Sequence, residues 1–330
     1  MKTKLTLTIA IPTYNGEDWI ADCLNSIFKQ SFSDFKIKVF DDCSTDKTLK
    51  IIRSFKDKRI KIYKNKKNLG YAKNLYQLRK HIKSDILFLM AQDDLLLKNA
   101  LLKTYKAFSL DKNIGAVTRP FFWFDKDPKK PVRIVTPYNK NKDSIISIFD
   151  GEKETKNIFG SIGQLSGLAY KTKLLKTDFH PHTFVSHIYP FAEITKNKKI
   201  AFLKNYTVAV RIESSQTRHK SSIYNISPLK SWVTMFKSIY SQNKYSNIKE
   251  VGIKNISRHY LGLLQIKNFG KYSQLLKEIY YHIKYYPLSL LRIDFWFISL
   301  ITIIVPKKVL VFLVDNFKKL FLAKTIKKTL

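Results

Sequence analysis

The stretch ILFLMAQDD, residues 86–94, decides the fold that we predict for this chain of 330 residues. Its first part, Ile86–Met90, is wholly apolar, which is typical of a strand buried on both faces of a parallel sheet. Asp93 and Asp94 follow almost directly, so two carboxylates stand at the end of the strand. In open α/β sheets, ligands bind beyond the carboxyl ends of the strands. This stretch therefore predicts an α/β fold with a ligand site at the two aspartates.

The sequence on either side of this stretch alternates between strand-like and helix-like patterns. Glu17–Gln30 and Tyr71–Ile82 carry apolar residues at helical spacing, and short apolar runs separate such segments. Strands that alternate with helical segments indicate a mostly parallel, open sheet flanked by helices. We predict strands at Leu5–Ile11, Lys36–Phe40, Ile60–Tyr63, Ile86–Met90 and Ile114–Thr118, and helices at Glu17–Gln30, Lys47–Phe55, Tyr71–Ile82 and Leu96–Phe108.

The pattern changes twice in the rest of the chain. Lys126–Asp143 is polar and without periodicity, which predicts a loop, and strand-like segments return at Gln164–Tyr170 and Lys199–Ile212. Beyond these, three long aromatic-rich segments have helical patterns without strands between them. We therefore predict a catalytic domain at residues 1–220 and a helical region at residues 221–330. The three helical segments are Leu229–Tyr240, Lys249–Asn268 and Tyr272–Tyr286.

Polar residues follow four of the predicted strands, at the point where each strand ends. An aspartate pair after a strand is, on its own, more often a turn or a helix cap than a ligand site. Because the carboxyl ends of parallel strands meet at one edge of a sheet, we expect the four groups to share one crevice. The groups are Pro12, Thr13, Tyr14 and Asn15; Asp41, Asp42, Ser44, Thr45 and Asp46; Asn68 and Gly70; and Asp93 with Asp94.

The chemistry of these side chains favours a nucleotide and a divalent cation. Carboxylates such as Asp93 and Asp94 suit Mg²⁺ or Mn²⁺, which proteins often hold with one or two carboxylates plus substrate phosphates. Tyr14 offers a flat ring for a base, and Asp41 or Asp42 offers an acceptor for base or ribose donors. The sequence has no G-x-G-x-x-G motif after its first strand and no G-x-x-x-x-G-K-[ST] motif, which argues against dinucleotide-binding enzymes and P-loop ATPases.

Taken together, these motifs resemble those of family 2 inverting glycosyltransferases, which have a GT-A fold. The resemblance covers residues 5–215 and implies a nucleotide-sugar donor, a divalent cation (Mn²⁺ or Mg²⁺) and direct displacement at the anomeric carbon. Gln92 departs from the acidic residue that often opens the D-x-D motif, so we expect metal coordination to depend largely on Asp94, with Asp93 beside it. The donor-binding residues that the resemblance implies are Pro12, Thr13, Tyr14, Asn15, Asp41, Asp42, Asn68, Gly70 and Asp93, of which Thr13, Tyr14 and Asp41 would meet the base.

Displacement also needs a general base that takes the proton of the acceptor hydroxyl. In the resembled family this is an acidic residue that opens a helix after a G-x-x-Y/F strand, and Gly167–Tyr170 fits that strand. The usual Glu-Asp pair is absent from the segment that follows. His187 and Glu193 are therefore alternative candidates for the base, although a histidine there also fits a core position. We expect His187→Ala to abolish transfer and to leave donor binding intact. Asp178, His180 and His182 are further candidates nearby.

The chain is strongly basic, with 60 Lys+Arg against 25 Asp+Glu and a net charge of +35. This charge predicts an anionic partner: nucleic acid, a membrane surface or a phosphorylated substrate. Near the C-terminus, Phe295–Val305 and Val309–Val314 are uncharged, but each is much shorter than the roughly 20 residues of a spanning helix. Pro306, Lys307 and Lys308 separate them and further lysines follow. We predict a tail that lies in the plane of a membrane surface; a buried helix pair is the alternative.

These observations predict a transferase that acts on a lipid-linked surface polysaccharide or oligosaccharide, including acceptors linked to polyprenyl diphosphate. Cys23 and Cys43 are too few to staple a chain of this size, and the N-terminal segment resembles a signal peptide only faintly, since it lacks a small-residue cleavage site and is better interpreted as a buried first strand. These features predict a cytoplasmic enzyme at the inner face of the cell membrane. One alternative is a sugar-1-phosphate nucleotidyltransferase, but Pro12–Asp22 lacks the Gly-rich basic loop of such enzymes. The other is a nucleic-acid-binding protein. We expect no nucleic-acid partner, because the basic residues are spread along the chain and no nucleic-acid motif is present.

Overall fold

A computed structural model describes residues 4–213 and 221–317 of the chain. The chain divides into two units, Met1–Ile212 and Glu213–Leu330. The sequence places the corresponding boundary near residue 220, and the roles that it gives to the two segments remain predictions. The first unit contains strands and helices, and the described part of the second unit is helical.

Strands and helices alternate through the first unit, as the sequence predicts. The strands are β1 (Leu7–Thr13), β2 (Lys36–Asp41), β3 (Ile60–Lys64), β4 (Ile86–Leu89), β5 (Leu95–Leu96), β6 (Ile114–Thr118), β7 (Phe122–Phe124), β8 (Pro131–Ile134), β9 (Ser144–Ile146), β10 (Ala169–Lys171), β11 (Lys199–Phe202) and β12 (Val208–Arg211). The α-helices are α1 (Ile20–Phe28), α2 (Thr48–Ser54), α3 (Tyr71–His81), α4 (Ala100–Leu110), α5 (Glu152–Gly160) and α6 (Ile188–Thr195).

The central sheet has the strand order β3-β2-β1-β4-β10-β6-β11-β9. The first four of these strands are parallel, with Thr13 opposite Asp41 and Ala10 opposite Leu89. β10 runs antiparallel between β4 and β6. The predicted mostly parallel α/β sheet is thus confirmed, and the carboxyl ends of β1, β2, β3 and β4 meet at one edge. Apolar side chains of α1, such as Ile20 and Leu24, are fully buried in the core that includes this sheet.

The predicted loop over Lys126–Asp143 is wrong over Pro131–Ile134, which forms β8. This strand pairs with β7, Phe122 lying opposite Ile134, in a second sheet of order β5-β12-β7-β8. Lys126, Lys129 and Lys130, which make this part of the sequence polar, lie in the turn between β7 and β8. β12 runs parallel to β7 and ends at Arg211, opposite Phe124. β5, which directly follows Asp94 in the chain, pairs with β12 in this sheet.

The strand predicted at Gln164–Tyr170 begins only at Ala169, because the backbone turns sharply before it. Gly167 has a φ of 89°, a left-handed conformation that L side chains rarely adopt. A Cβ atom at this position would lie 2.9 Å from the Val208 side chain. Glycine is therefore needed here for both conformation and space. The turn brings Ser166 to the carboxyl end of β4.

In the second unit, the helices are α7 (Pro228–Ile239), α8 (Ser246–Ser257), α9 (Gly262–Phe269), α10 (Tyr272–Tyr285), α11 (Ile293–Ile304) and α12 (Lys307–Phe317). The single helix predicted over Lys249–Asn268 is wrong, since α8 and α9 are separate. Glu278 of α10 is buried and accepts a hydrogen bond of 2.8 Å from the Leu229 backbone N–H, at the start of α7. Within the described ranges, no helix has the combination of length and apolar character that crossing a membrane requires.

Two buried histidines make the stability of the protein sensitive to acid. Burial lowers the pKa of both His187 and His282 to about 4. A histidine in an unfolded chain has a pKa of about 6.5, so the unfolded state binds more protons between pH 6.5 and 4. The free energy of unfolding therefore keeps its full value above about pH 6.5 and falls as the pH approaches 4. The total loss is about 3 kcal/mol for each histidine once its ring is protonated in the folded state as well. Thermal melts from pH 7.5 to 4.5 should show this loss, and His282→Gln should flatten it; equal melting temperatures at pH 7 and pH 5 would contradict the prediction.

Candidate active site

The loops after β1 and β2 are tied together at the sheet edge by Asn15. Its backbone N–H donates to Ser44 Oγ at 3.0 Å, and its Oδ1 accepts from the Thr45 N–H at 2.9 Å. The next residue, Gly16, donates its N–H to Thr48 Oγ1 at 2.7 Å. Asn15 takes a left-handed φ of 44°, which asparagine tolerates better than most residues. These contacts give Asn15 a scaffolding position between the two loops.

The two aspartates at the end of β2 have different surroundings. Asp42 is buried and fully engaged: Oδ1 accepts from Asn65 Nδ2 at 2.9 Å and from the Leu69 N–H at 2.8 Å, and Oδ2 accepts from the Gly70 N–H at 2.8 Å. Asp41 is also buried, and its Oδ2 accepts from the Ser44 N–H at 3.1 Å, but its Oδ1 has no hydrogen-bond partner. A buried carboxylate oxygen without a partner is costly. Asp41 therefore has an acceptor available for a ligand, and Asp42 shapes the neighbouring loop.

The loop that Asp42 shapes contains two predicted site residues. Asn68 is exposed, and its Oδ1 accepts from the Gly70 N–H at 3.0 Å. Gly70 has a φ of 82°, and α3 begins directly after it. The predicted residues of β1 are more enclosed. Pro12 and Thr13 are buried, and Thr13 Oγ1 donates to the Ile11 carbonyl at 3.3 Å, whereas the Tyr14 side chain is half-buried.

Gln92 joins the end of β4 to the loop after β1. Its Oε1 accepts from the Tyr14 N–H and its Nε2 donates to the Tyr14 carbonyl, both at 3.0 Å. An amide can donate and accept at once, which an ionised carboxylate cannot. This pairing explains the departure from an acidic residue at this position. It also removes Gln92 from the groups available to a ligand.

We expect Gln92→Glu to lower stability without any direct loss of ligand-binding atoms. The carboxylate would face the Tyr14 carbonyl without a proton to donate, which should cost about 1–3 kcal/mol. For a domain of this size, each kcal/mol lowers the melting temperature by roughly 2–4 °C. Gln164→Glu makes the same change of charge at a half-buried side chain in the same unit and serves as the control. Equal melting temperatures for the two variants would show that the Gln92 pairing contributes nothing.

Asp94 is enclosed by protein, whereas Asp93 is half-exposed. Asp94 Oδ2 accepts from Ser166 Oγ at 2.5 Å, and Oδ1 accepts from the Arg211 backbone N–H at 2.9 Å. Burial, and then the negative charge of Asp93, raise the pKa of the Asp94 carboxyl well above its usual range. Ser166 also accepts a hydrogen bond of 2.9 Å from the Ala91 N–H. Both oxygens of Asp94 are thus used to hold the turn that presents Asp93.

These surroundings decide how the two aspartates fit a divalent cation. No group of three or more His, Cys, Asp or Glu side chains that could hold a metal ion occurs within the described parts of the chain. Mg²⁺ and Mn²⁺ need fewer, since one or two carboxylates with substrate phosphates often suffice. Asp93 fits as such a carboxylate, because its side chain is half-exposed. Asp94 fits poorly, because a ligand would have to replace its bonds to Ser166 and Arg211.

The two candidates for the base lie at the start of α6 and within it. The His187 ring is buried; its Nε2 lies 3.0 Å from the Ile162 carbonyl oxygen, and its Nδ1 has no partner. The Glu193 carboxylate pairs with Lys196 Nζ at 3.2 Å. Of the further candidates, the His180 ring stacks on Tyr189 with centroids 4.1 Å apart. None of these contacts joins either residue to Asp93 or Asp94.

Two residues that hold the aspartate turn, Ser166 and Arg211, carry no signal of this role in the sequence. Ser166 lies within the predicted strand Gln164–Tyr170, and no spacing rule connects it with Asp94. Arg211 is buried behind the turn, where its Nε donates to the Asp93 carbonyl at 3.1 Å.

Comparison with known proteins gives one family and several relatives. The family model Glycosyl transferase family 2 matches residues 8–172, half of the chain. Poly(ribitol-phosphate) beta-N-acetylglucosaminyltransferase TarS of Staphylococcus aureus is 39% identical over 69 residues, which are 20% of this chain and only 12% of TarS. An uncharacterized glycosyltransferase of Haemophilus influenzae is 26% identical over 288 residues, 83% of this chain and 84% of that protein. UDP-Glc:alpha-D-GlcNAc-diphosphoundecaprenol beta-1,3-glucosyltransferase WfgD of Escherichia coli is 30% identical over 95 residues, 29% of this chain and 38% of that protein.

Solved structures share the fold. TarS residues 1–349 in complex with UDP-GlcNAc match with a TM-score of 0.65 and 17% identity, over 85% of this chain and 81% of that one. A mannosyltransferase of Pyrobaculum calidifontis in complex with GDP-Man and Mn²⁺ matches with a TM-score of 0.53 and 15% identity, over 91% of this chain and 87% of that one. At these identities the likeness concerns the fold alone.

Proposed function

Because the chain belongs to glycosyl transferase family 2, we propose that it moves a sugar from a nucleotide-sugar donor to a glycan acceptor, with inversion at the anomeric carbon. One observation carries the proposal. Asp41, with a buried carboxylate oxygen that lacks a partner, and Asp93, with a half-exposed carboxylate, stand at the ends of strands on either side of β1. A nucleoside diphosphate that lies across these strand ends would place its base at the hydrogen-bond acceptor of Asp41 and its phosphates at the carboxylate of Asp93.

The donor is proposed to lie along the edge from β3 to β4. Asp41 Oδ1 accepts a hydrogen bond from the base, and the half-buried Tyr14 ring lies beside the base. Asn15, Asp42, Asn68 and Gly70 hold the surrounding loops in place. The TarS and WfgD names both refer to transfer of a sugar, and WfgD is named for a UDP-linked donor. UDP-sugars are therefore the first donors to test.

For the divalent cation, we propose that Asp93 is the protein ligand and that Asp94 is a positioning residue. This order reverses the one that the resemblance implied, because Asp94 is enclosed and Asp93 is half-exposed. When bound, such a cation neutralises the charge of the diphosphate leaving group. The protein contributes the direction of the Asp93 carboxylate, which the bonds to Asp94 fix.

His187 and Glu193 remain the proposed candidates for the general base, and their contacts with neighbouring residues differ. His187 is neutral at pH 7 and has an unpartnered Nδ1, whereas the Glu193 carboxylate is already paired with Lys196. We therefore place His187 first, and an acceptor reaches its buried ring only if the segment before α6 moves. Burial causes the low pKa of His187, about 4, and opening the ring to an acceptor returns its pKa towards the usual value of about 6.5, so transfer should fall as the pH drops through about 6.5. Constant transfer from pH 8 to pH 5 would assign the general base to another group.

The acceptor is proposed to be a glycan held at a membrane, such as a polyprenyl-diphosphate-linked saccharide. WfgD is named for an acceptor of this type and TarS for a polymer. The second unit supports the proposal, because α11 exposes large apolar side chains and buries small polar ones. Ile293 and Phe297 are 89% and 61% exposed, whereas Ser299 and Thr302 are buried. We propose that this face contacts the inner surface of the cell membrane. The lysines beyond residue 317 lie outside the described residues.

A donor panel tests the proposed function. Purified protein should be heated with UDP-, GDP- and dTDP-sugars, each with Mn²⁺, Mg²⁺ or EDTA, and slow hydrolysis of each donor should be measured in parallel. We expect one nucleotide class to raise the melting temperature, and a divalent cation to strengthen the effect. No response to any donor, with or without metal, would overturn the proposal.

A further inference from the structure

We propose that Arg211 is a positioning residue that holds the Asp93–Asp94 turn in the form that binds the donor diphosphate. The inference rests on the proposed function, and it assigns Arg211 no direct contact with substrate. Arg211 is the last residue of β12, and only 7% of it is exposed. A buried arginine must be held by acceptors and packing, since its charge is costly to remove from water. The partners of Arg211 therefore show which part of the protein it supports.

Arg211 holds the aspartate turn at two points. Its backbone N–H donates to Asp94 Oδ1 at 2.9 Å, and its side-chain Nε donates to the Asp93 carbonyl at 3.1 Å. The first bond fixes the Asp94 carboxylate, and the second fixes the peptide that joins the two aspartates. Because Arg211 holds both the Asp94 carboxylate and the Asp93 carbonyl, the backbone of the turn is fixed. The Asp93 side chain therefore leaves the backbone in a defined direction.

The guanidinium group is itself fixed on three sides. Its centre lies 4.6 Å from the centroid of the Trp19 ring and 4.8 Å from that of Phe124. Its Nη2 forms an ion pair of 3.2 Å with Asp22 of α1, whose side chain is 61% exposed. An arginine held by two rings and a carboxylate has little freedom, because the planar group both stacks and donates in fixed directions. Through Arg211, the aspartate turn is thus anchored to α1 by Asp22 and to the second sheet by Phe124.

This arrangement predicts an effect that depends on the phosphates of the ligand. The base end of the donor meets Asp41, which ends a different strand, β2, and whose Oδ2 accepts from the Ser44 N–H. A loosened aspartate turn should therefore weaken binding of a nucleoside diphosphate and leave binding of the matching nucleoside unchanged. Loss of a group that orients a metal ligand typically costs about 10- to 100-fold in affinity. A variant that merely lowers stability would weaken both ligands alike.

Arg211→Lys is the sharpest variant, because it keeps the charge and the backbone N–H but loses the planar, stacked group. With Mn²⁺ present, we expect the dissociation constant of the best-bound nucleoside diphosphate among UDP, GDP and dTDP to rise about 10-fold or more. That of its nucleoside should change less than about twofold. Asp22→Asn, which leaves Arg211 in place, should give a smaller effect in the same direction. Binding is measured by calorimetry and needs no acceptor.

Arg59→Lys is the matched control. Arg59 also lies near two rings, at 4.9 Å from Phe28 and 4.7 Å from Phe35, and pairs with Asp57 at 2.7 Å, but it has no contact with the aspartate turn. It should leave both dissociation constants unchanged. Unchanged diphosphate binding in Arg211→Lys, or equal weakening of nucleoside and diphosphate, would overturn the inference. Failure of the wild-type protein to bind any nucleoside diphosphate would instead overturn the proposed function.

Discussion

Replacing Asp93 by Asn should lower the rate of sugar transfer by about 10²- to 10³-fold, the scale seen when one group that stabilises developing charge is removed. The reason is local. Asp93 is the half-exposed carboxylate of the turn after β4, and an amide is a much weaker ligand for a divalent cation. The substitution keeps the size of the side chain, so the melting temperature should stay close to that of the wild type. Initial rates at saturating donor and Mn²⁺ give the measurement.

Asp94→Asn provides the comparison that decides between the two aspartates. Its amide can still accept from the Arg211 N–H through Oδ1, so the turn should keep part of its support. We expect a smaller loss of rate than for Asp93→Asn and a lower melting temperature, because Asp94 is buried and bonded on both oxygens. The opposite order, with metal-dependent donor binding lost only in Asp94→Asn, would show that the role implied by the family resemblance is right and the one proposed from the geometry is wrong.

The fold could be predicted largely because its strands are buried runs with clear ends. β6 occupies the predicted span, Ile114–Thr118, and β2, β3 and β4 differ from prediction by a residue at one end. The second sheet could not be predicted in the same way. β8 has four residues and β5 only two, and a period of two residues cannot be recognised over such lengths. These short strands are stabilised by pairing with distant segments, for example β5 with β12, which leaves no local signal.

The site was predictable as a set of strand ends but not in its division of roles. Topology alone places Thr13, Asp41 and Asp93 near one edge. It does not indicate that Thr13 Oγ1 donates to its own strand, or that Asp94 turns inward towards Ser166, 72 positions away in the sequence. Whether a carboxylate faces a ligand or the protein depends on such long-range hydrogen bonds. A sequence pattern therefore identifies candidates, and the structure separates supporting residues from exposed ones.

Replacing Ile293, Phe297 and Ile304 of α11 together by Gln should reduce binding to anionic vesicles by about 10²-fold. Their exposed fractions are 89%, 61% and 71%. Transfer of each side chain from water into the interface should contribute about 1 kcal/mol, less than full burial because the helix lies in the surface plane. Three such losses correspond to about 3 kcal/mol, or roughly two orders of magnitude in partitioning. Co-sedimentation with vesicles of phosphatidylglycerol and phosphatidylcholine measures this directly.

The controls separate a membrane surface from the alternatives. Leu110→Gln with Phe149→Gln removes two apolar side chains of the first unit, 75% and 58% exposed, and should leave vesicle binding unchanged. Lys307→Gln with Lys308→Gln, at the start of α12, should weaken binding to anionic vesicles by about 1 kcal/mol per lysine and make it less sensitive to salt. If α11 instead packs against a second copy of the chain, the triple variant would change the oligomeric state in solution and bind vesicles like the wild type.

The polarity of α11 is what makes this prediction stronger than a count of apolar residues. A helix on the surface of a water-soluble unit normally turns its large apolar side chains inward and its small polar ones outward. In α11 the inward positions include Ser299 and Thr302, and Thr302 Oγ1 donates to the Ser299 carbonyl at 2.9 Å, within the helix itself. Phe295 is the large side chain that packs inward, with its ring centroid 5.2 Å from that of Tyr260. Exposure of the other apolar residues is therefore specified by the fold, and an apolar surrounding such as the edge of a bilayer is the environment that would stabilise it.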